Sequence, residues 1–284
     1  MQEYSFKSVP GILLSPFSAH RLLELRGKGE VPVNVGLEDA IAEKSNDSLV
    51  IYHGAESYTV PGQALRRIID SDRFLHVGSR GAYVVEYREN NYYKLKYLGE
   101  KIAPTLEING VHMHNISRTT PLDDARLKVK LLGVERGDLV LDVCTGLGYT
   151  ALQSLYRGAT VVTVEKDIHV LKIAEHNPYS KDLSSVRILL GDAAQLVKQL
   201  PEETFTKVLH DPPVLSFAGE LYSENFYREL FRVMDRGGVL FHYTGAPGKH
   251  RGIHIQRGVA ERLRRAGFHV RKVIKEYGVL AIKP

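Results

Sequence analysis

The sequence has one cysteine, no internal repeat, no low-complexity tract and no long apolar run. A single cysteine, Cys144, excludes an internal disulfide and any zinc site built from several cysteines. No apolar run approaches the roughly 18 residues that a membrane-spanning helix needs. The first residues, Met1-Gln2-Glu3-Tyr4, lack the basic and apolar regions of a signal peptide. We therefore expect a globular cytoplasmic protein.

The charge of the chain is unevenly distributed. The formal net charge of the 284 residues is +5, yet residues 1–115 carry 13 basic side chains against 14 acidic ones. Residues 249–275 carry nine basic side chains and a single acid, Glu261. Such a local excess suits an anionic partner. The alternative is a solvated helix face, which is the usual role of a charged run.

The pattern of predicted helices and strands changes near residue 115, which divides the chain into two regions. We predict a small α+β domain over residues 1–114. No motif in it points to chemistry, so it is either a substrate-recognition domain or a purely structural or dimerising one. Its predicted elements are a hairpin, a short helix and two further strands, at residues 49–60, 64–69, 82–87 and 92–97.

Residues 115–284 alternate between helical and strand patterns. The segment 139–143 is a continuous apolar run but for its Asp, as expected of a strand buried on both faces. Alternation at this spacing predicts an α/β domain with a doubly wound, mainly parallel sheet. The last two strands, near 269–274 and 279–282, are separated by too few residues for a crossover helix. We therefore predict that they form an antiparallel hairpin.

A glycine-containing loop is the strongest functional signal. The segment Asp142-Val143-Cys144-Thr145-Gly146-Leu147-Gly148-Tyr149-Thr150 follows the buried strand and opens a helix. Gly146 and Gly148 allow a tight turn and close approach of a ligand. Ala151 stands where the dinucleotide fingerprint has its third small residue, so spacing alone leaves a dinucleotide open. Asp142 favours another ligand, because an acid repels pyrophosphate and attracts the cationic amino-acid end of S-adenosylmethionine.

Three later strand ends carry polar residues in sequence. Glu165 can accept hydrogen bonds from both ribose hydroxyls, and Asp192 can accept one from the adenine amino group. The segment His210-Asp211-Pro212-Pro213 follows the fourth strand. Any one such carboxylate is often only a helix N-cap. In this order, the four strand ends predict a nucleoside site for S-adenosylmethionine.

The ordered set resembles the class I S-adenosylmethionine-dependent methyltransferases over roughly residues 115–284. The resemblance implies a Rossmann-like, seven-stranded sheet, mainly parallel with a C-terminal antiparallel hairpin, in a domain that binds S-adenosylmethionine. It implies that the Gly146–Gly148 loop holds the methionine moiety, Glu165 the ribose and Asp192 the adenine. The residues predicted to bind the cofactor are Asp142, Thr145, Gly146, Gly148, Tyr149, Glu165, Asp192, Ala193 and His210.

A wider set of segments resembles an archaeal group of predicted methyltransferases. These segments include Pro104-Thr105-Leu106-Glu107-Ile108-Asn109-Gly110-Val111-His112-Met113-His114 and Asn177-Pro178-Tyr179-Ser180. The others are the glycine loop, from residue 141 to 150, and residues 210–217. The resemblance implies a methyltransferase but does not fix its substrate.

The predicted catalytic residues are Asp211, Pro212 and Pro213, which the resemblance places in the methyl-acceptor pocket. Asp211 and the Pro212 carbonyl could accept hydrogen bonds from a planar nitrogen acceptor, and Asp211 could instead take its proton. Amine-methylating members of the class commonly carry an aromatic residue after Asp/Asn-Pro-Pro, but here the residue is Val214. Phe217, Tyr222 or Phe226 could provide the stacking surface instead.

The predicted partner is RNA, with tRNA as one candidate. The segment 243–251 follows the fifth strand and should lie at the same edge of the sheet as the acceptor pocket. Lys249 and Arg251 in it could contact phosphates, which adds to the basic excess of residues 249–275. Stacking combined with phosphate contact is the usual way in which single-stranded or loop RNA is bound.

Three other functions remain open. One is aminopropyl transfer from decarboxylated S-adenosylmethionine to a polyamine, which needs acids at the acceptor site; residues 210–222 offer only Asp211 and Glu220. The others are methylation of a small molecule or protein, and a non-catalytic module that binds S-adenosylmethionine or RNA. We predict no metal site, because His112 and His114 have compatible spacing but no evident third ligand. The oligomeric state is left open.

Overall fold

The chain forms two compact units in a computed structural model that describes residues 1–215, 218–245 and 255–284. The larger unit comprises residues 1–6, 123–168 and 182–284, and the smaller comprises residues 7–122 and 169–181. No helix of the described residues is long and apolar enough to span a membrane. The helices are α1 (Pro16–Glu24), α2 (Gly62–Arg66), α3 (Pro121–Leu132), α4 (Tyr149–Leu155), α5 (Ile168–Ala174), α6 (Ala193–Leu196), α7 (Glu224–Val233) and α8 (Ile255–Arg265).

The larger unit is built on one eight-stranded sheet, in the order β1-β15-β14-β13-β16-β17-β19-β18. Four neighbouring pairs, from β15 across to β17, are parallel. β19 and β18 form the predicted antiparallel hairpin at one end. The strands are β1 (Gln2–Tyr4), β13 (Leu139–Val143), β14 (Thr160–Glu165), β15 (Arg187–Leu190), β16 (Phe205–His210), β17 (Met234–Tyr243), β18 (His269–Ile274) and β19 (Gly278–Ile282).

The mainly parallel α/β fold is thus confirmed, but the sheet has one strand more than predicted. β1 pairs antiparallel with β15, with Gln2 opposite Leu190. Three residues are too short to display an alternating pattern, which is why the sequence did not reveal this strand. Residues 1–6 therefore belong to the larger unit, not to the predicted domain over residues 1–114. The predicted division at 114/115 is also displaced, since the smaller unit extends to residue 122 and includes residues 169–181.

The smaller unit contains three antiparallel sheets, ordered β3-β4-β5-β6, β2-β7-β8 and β12-β11-β10-β9. The predicted hairpin is present as β5 and β6, but the elements before residue 48 had not been predicted. Its strands are β2 (Ile12–Leu14), β3 (Lys28–Val33), β4 (Glu38–Ser45), β5 (Ser48–His53), β6 (Glu56–Pro61), β7 (Leu75–Gly78), β8 (Gly81–Val84), β9 (Glu86–Arg88), β10 (Tyr92–Lys96), β11 (Thr105–Ile108) and β12 (Val111–His112).

Helices α7 and α8 help to cover the parallel sheet and form its core. Tyr227 and Leu230 of α7, and Val259 and Leu263 of α8, are fully buried. They belong to one apolar cluster with Leu141 and Val143 of β13. β13 is thus buried as its apolar sequence predicts, and the order of the strands reverses beside it. In open α/β sheets, ligands bind next to such a reversal, at the carboxyl ends of the strands.

Gly148 offers a direct test of how tightly the start of α4 is packed. Its φ is +81°, and a Cβ placed there would lie 2.5 Å from the Leu183 side chain. Gly133 is a matched control, because its φ is +70° but no described atom lies within 4 Å of such a Cβ. Gly133→Ala should cost about 1 kcal/mol of unfolding free energy, and Gly148→Ala about 1 to 3 kcal/mol more.

Urea unfolding of both variants and the wild type measures this difference. Equal losses in the two variants would show that Leu183 moves aside without cost and that only the backbone conformation matters.

Candidate functional site

Four strands of the larger unit end side by side, and we call this the carboxyl edge of the sheet. Val143 at the end of β13 lies in register with Val164 of β14 on one side and with His210 of β16 on the other. Glu165 at the end of β14 is opposite Leu190 of β15. The loops that follow these strands must therefore begin close together.

Backbone hydrogen bonds hold the first residues of these loops against the neighbouring strands. The Gly191 N–H donates to the Glu165 carbonyl at 2.8 Å, and the Asp211 N–H donates to the Val143 carbonyl at 3.3 Å. The structure therefore brings the four predicted segments, those that contain Gly146, Glu165, Asp192 and Asp211, to one edge. The predicted convergence of these strand ends is confirmed.

The glycine loop has the left-handed backbone that its composition predicts. Gly146 and Gly148 have φ of +56° and +81°, and Cys144 also has a positive φ, of +76°. A non-glycine residue in this region is uncommon and marks a locally constrained backbone. The half-buried Cys144 packs against the apolar core, as expected of a small loop residue rather than a nucleophile.

The Glu165 carboxylate fixes this loop from the next strand. Its Oε2 accepts a hydrogen bond from the Gly146 N–H at 3.0 Å, and its Oε1 accepts one from the Asp167 N–H at 3.0 Å. Burial raises the pKa of the Glu165 carboxyl, although backbone N–H groups of Gly146, Asp167 and Lys166 oppose that shift. A carboxylate has about four acceptor sites, so Glu165 can still accept from a ligand.

Asp142 lies beneath the loop and is fully buried. Its two oxygens accept hydrogen bonds from the Thr150 and Thr163 hydroxyls, each at 2.7 Å. Burial raises the pKa of the Asp142 carboxyl to about 7. The carboxylate therefore links β13, β14 and α4 and does not face a ligand. Its predicted attraction for a cationic group would have to act through the loop and stays a prediction.

The other residues predicted to bind the cofactor are mostly enclosed. Thr145 is buried, with its hydroxyl 2.7 Å from the Thr163 hydroxyl. Tyr149 and Ala193 are also buried, at the starts of α4 and α6. Because the side chains of these three residues are buried, they present backbone atoms and not side chains at the carboxyl edge. Their predicted contacts with the cofactor stay predictions.

Asp192 caps helix α6. Its Oδ1 accepts from the Ala194 N–H at 2.8 Å, and its Oδ2 lies 2.8 Å from the Lys166 ammonium. Burial alone would raise the pKa of the Asp192 carboxyl, but Lys166 and the cap hold it below its usual value. The N-cap alternative considered for such carboxylates is thus realised here. The predicted contact with adenine remains a prediction.

His210 is fully buried beside a second buried histidine, His242, with ring centroids 4.3 Å apart. Its Nε2 lies 2.9 Å from the Leu221 carbonyl, so this nitrogen carries the proton and donates. Burial lowers the pKa of His210 to about 4, which keeps the ring neutral. The predicted cofactor contact therefore cannot come from an exposed imidazole. The ring instead holds the backbone near the loop after β16, which begins at residue 211 and which we call the acceptor loop.

A buried lysine at the carboxyl edge was not predicted from the sequence. The Lys128 ammonium, on α3, lies 2.7 Å from the Asp211 carboxylate and 2.8 Å from the Asp124 carboxylate. It also lies 3.7 Å from the centroid of the Tyr243 ring. The Tyr277 hydroxyl donates to Asp124 at 3.0 Å. We call these five residues the Lys128 cluster.

The Lys128 cluster has one cation for two carboxylates. Burial lowers the pKa of Lys128, but Asp211 and Asp124 outweigh that effect and hold it above its ordinary value. Burial raises the pKa of the Asp211 carboxyl and Asp124 adds to the shift, so the net direction is upward despite Lys128. Lys128 is therefore charged at neutral pH, and Asp211 is a stronger proton acceptor than an ordinary aspartate.

The acceptor loop after β16 is held by Tyr222. The Tyr222 hydroxyl donates to the Pro213 carbonyl at 3.0 Å, and its side chain is only 2% exposed. The prediction that Tyr222 presents a stacking surface is therefore wrong in this structure, because the ring is enclosed; Phe226 is buried as well. Among the described residues of the loop, Val214 and Leu215 are apolar and exposed, each at 41%.

Three predicted substrate residues, Phe217, Lys249 and Arg251, lie outside the described residues. The two histidines considered as metal ligands have separate partners. His112 Nε2 lies 3.1 Å from the Glu107 carboxylate, and His114 Nδ1 lies 2.9 Å from the Thr105 hydroxyl. Across residues 1–215, 218–245 and 255–284, no group of three potential metal ligands is found.

Comparison with known proteins connects this geometry to one family. A family model described as S-adenosyl-L-methionine-dependent methyltransferase matches residues 161–278. The uncharacterized protein MJ1233 of Methanocaldococcus jannaschii is 49% identical over 199 residues, which are 69% of this chain and 68% of that protein.

Two further similarities concern aminopropyl transfer. A polyamine aminopropyltransferase of Pseudomonas syringae pv. tomato is 26% identical over 149 residues, or 51% of this chain and 50% of that protein. The crystal structure of spermidine synthase from Thermotoga maritima has a TM-score of 0.53 at 15% identity, covering 70% of this chain and 71% of that chain. At this level of identity, the structural likeness shows a shared fold.

The pKa of Asp142 predicts how stability depends on pH. This carboxyl ionises near 3.8 in the unfolded chain and near 7 in the folded protein. Between these values the folded state keeps a proton that the unfolded state has released, so the free energy of unfolding falls as pH rises. Asp142→Asn removes this contribution, because the amide does not ionise. The free energy of unfolding of the variant, relative to that of the wild type, should therefore rise by up to about 4 kcal/mol as pH increases from 4 to 7.

Urea unfolding of both proteins at several pH values tests this expectation. At pH 4 both side chains are neutral in the folded proteins and the unfolded aspartate is only partly ionised, so a difference there measures mainly altered hydrogen bonding. Curves that run parallel from pH 4 to 7 would show that the Asp142 carboxyl ionises normally.

Proposed function

We propose that this chain, which belongs to the S-adenosyl-L-methionine-dependent methyltransferases, methylates a nitrogen of an RNA base, with tRNA as the first substrate to test. The observation that carries the proposal is the position of Asp211. Its carboxylate is held 2.7 Å from the Lys128 ammonium, at the carboxyl edge that also holds Glu165 and the glycine loop. A carboxylate that can accept a proton thus lies beside the glycine loop.

The residues at the carboxyl edge fit a cationic nucleoside better than a dinucleotide. In a phosphate-binding loop, backbone N–H groups face the anion. Here the Gly146 N–H already donates to the Glu165 carboxylate, so a pyrophosphate would meet a negative charge instead of a donor. Glu165 can receive the ribose hydroxyls of S-adenosylmethionine on its remaining lone pairs. When bound, this cofactor supplies an electrophilic methyl group on a positively charged sulfur.

Asp211 is suited to a nitrogen that becomes more acidic as it is alkylated. The nitrogen of a base loses an N–H proton in net methylation, and a carboxylate nearby can receive it. Burial raises the pKa of Asp211, which favours this proton transfer. Lys128 acts as a positioning residue, because its ammonium fixes the Asp211 carboxylate and remains protonated.

The acceptor loop also offers an apolar surface for a planar ring. Val214 and Leu215 follow the Asp-Pro-Pro segment directly and are each 41% exposed. Adjacent exposed apolar side chains at a functional loop are consistent with a ligand contact. They could support a base from one side while Asp211 accepts from its edge. This arrangement replaces the aromatic platform predicted at Tyr222.

The described part of the basic segment contains both structural and exposed cations. The Arg262 guanidinium donates to the Tyr222 carbonyl at 2.8 Å, and Arg265 lies 2.7 Å from Glu224. Four other basic side chains are exposed and form no ion pair among the described residues. Their charges are available for phosphates, which supports an anionic substrate. They are Arg264, Arg271, Lys272 and Lys275.

A polyamine acceptor is less well supported than a nucleic acid, despite the similarity to aminopropyltransferases. A polyamine ammonium needs carboxylates and favours an aromatic ring nearby. In the Lys128 cluster, the lysine ammonium already occupies that position, between Asp124 and Asp211 and over the Tyr243 ring. A cationic acceptor would therefore be repelled by Lys128.

Asp211→Asn tests the acceptor assignment. The amide cannot take a proton, so turnover should fall by about 100-fold or more, while the affinity for S-adenosylmethionine should be unchanged. Asp123→Asn is the matched control, since this carboxylate is exposed on α3, the same helix as Lys128, and pairs with Arg126. Single-turnover methylation and calorimetric cofactor titration give the two values. Full turnover of the Asp211→Asn variant would overturn the assignment.

Transfer of radiolabelled methyl groups tests the substrate class. The enzyme is incubated with labelled S-adenosylmethionine and a cell extract containing unmodified RNA, and RNA, protein and small molecules are then separated. We expect label in nuclease-sensitive RNA, including transcribed tRNA. Label confined to protein or small molecules would contradict the RNA substrate. Tighter binding of decarboxylated S-adenosylmethionine would favour aminopropyl transfer.

A further inference from the structure

The smaller unit contains a cavity that has no part in the proposed methyl transfer. Its volume is about 410 Å³, which lies within the range of about 300 to 1,000 Å³ that is usual for ligand pockets. Strand residues and helix α5 form its walls. Its lining includes Arg80, Tyr83, Val85, Tyr87, Lys172 and Ile173.

The two tyrosine rings of this cavity are held in place by neighbouring rings. Tyr87 stacks on His169, with centroids 4.3 Å apart and an interplanar angle of 25°. Tyr83 is 5.0 Å from the ring of the buried His76. Val85 and Ile173 are buried and form an apolar base. Rigid aromatic walls over an apolar base favour a flat ligand, because little side-chain entropy is lost on binding.

The Tyr83 hydroxyl is oriented by His176. His176 Nδ1 lies 2.9 Å from the Lys172 carbonyl, so this nitrogen carries the proton and donates. The other nitrogen, Nε2, must then accept from the Tyr83 hydroxyl, which lies 3.0 Å away. Burial lowers the pKa of His176, so the ring is neutral at pH 7. The Tyr83 hydroxyl therefore donates to His176, and its oxygen accepts a hydrogen bond from the Arg80 side chain.

The rim of the cavity is basic. Arg80 and Lys172 are exposed, and neither forms an ion pair with a carboxylate within the described residues. The acid of the cavity, Glu86, already has partners: it accepts from the Tyr92 hydroxyl at 2.7 Å and lies 3.6 Å from the Arg73 guanidinium. Each rim cation lies beside a tyrosine: Arg80 hydrogen-bonds to the Tyr83 hydroxyl, and the Lys172 ammonium lies 5.7 Å from the centroid of the Tyr87 ring. Neither contact neutralises the cation, so both can attract an anion.

We infer that this cavity binds a nucleotide, with the base against the tyrosine rings and the phosphate at Arg80 and Lys172. Aromatic stacking combined with phosphate contacts is the general chemistry of single-stranded nucleic-acid recognition. A free mononucleotide and a nucleotide within RNA share this chemistry. The inference does not depend on the proposed methyl transfer, because none of its residues belongs to the carboxyl edge.

Titration with uridine monophosphate (UMP) tests the site, with ligand-observed NMR as the readout. Saturating S-adenosylhomocysteine is included to occupy the proposed cofactor site. A pyrimidine nucleotide is used because it resembles the adenine of the cofactor less than a purine does. UMP should bind at least about tenfold more tightly than uridine or inorganic phosphate alone. Lys172→Gln should weaken UMP by about fivefold or more, and Tyr87→Leu should weaken both UMP and uridine.

Lys44→Gln is the control, because Lys44 is an exposed lysine of the same unit that does not line the cavity. A further titration with a short single-stranded oligoribonucleotide shows whether the site binds a free mononucleotide or a nucleotide within RNA. Tighter binding than UMP identifies RNA, and weaker binding identifies a free nucleotide. Binding of phosphate as tight as UMP, or UMP binding that survives both substitutions, would overturn the inference whether or not methyl transfer is observed.

Discussion

The hydrogen bond from the Gly146 N–H to the Glu165 carboxylate, at 3.0 Å, is the interaction on which the site depends. It connects the loop after β13 to the end of β14 and turns a potential phosphate-binding loop into an acid-lined one. Beneath it, Asp142 holds Thr150 and Thr163, so the loop rests on a buried network that is satisfied on both carboxylate oxygens. Together these contacts set both the shape and the charge preference of the carboxyl edge.

The Lys128 cluster provides the second half of the site by similar means. A lysine that is only 5% exposed is stable only with partners, and removing one partner of a buried pair costs about 3 to 5 kcal/mol. Here the partners are Asp124, from the same helix, and Asp211, from the acceptor loop. The ion pair therefore connects α3 to the loop after β16 and holds the proposed proton acceptor in place. The Lys128 ammonium also occupies the position between the two carboxylates that a cationic substrate would need.

Much of the fold was predictable, because the parallel strands have strong apolar patterns. β13 was predicted with the bounds that the structure has, and the final hairpin followed from a connection too short for a helix. The strand β1 was not predictable, since three residues carry no period. Lys128 was not predictable either, because Asp124 and Lys128 are four residues apart on a helix and such a pair is usually exposed. Only the long-range contact with Asp211 makes it a buried cluster.

The candidate site was predictable in its positions but less so in its contacts. The order of four residues along the chain was sufficient to predict that they lie at one edge of the sheet, because the carboxyl ends of neighbouring parallel strands lie side by side. These residues are Gly146, Glu165, Asp192 and Asp211. Which carboxylate faces a ligand depends on three-dimensional burial, and this is why Asp142 proved to be enclosed. Tyr222 is enclosed for the same reason, since its hydroxyl reaches the Pro213 carbonyl.

A crystal structure with S-adenosylhomocysteine would show whether Glu165 and the glycine loop form the cofactor site. We expect both ribose hydroxyls within hydrogen-bond distance of the Glu165 carboxylate, with the sulfur directed toward Asp211. A ribose that contacts neither Glu165 nor the Gly146–Gly148 backbone would contradict this expectation.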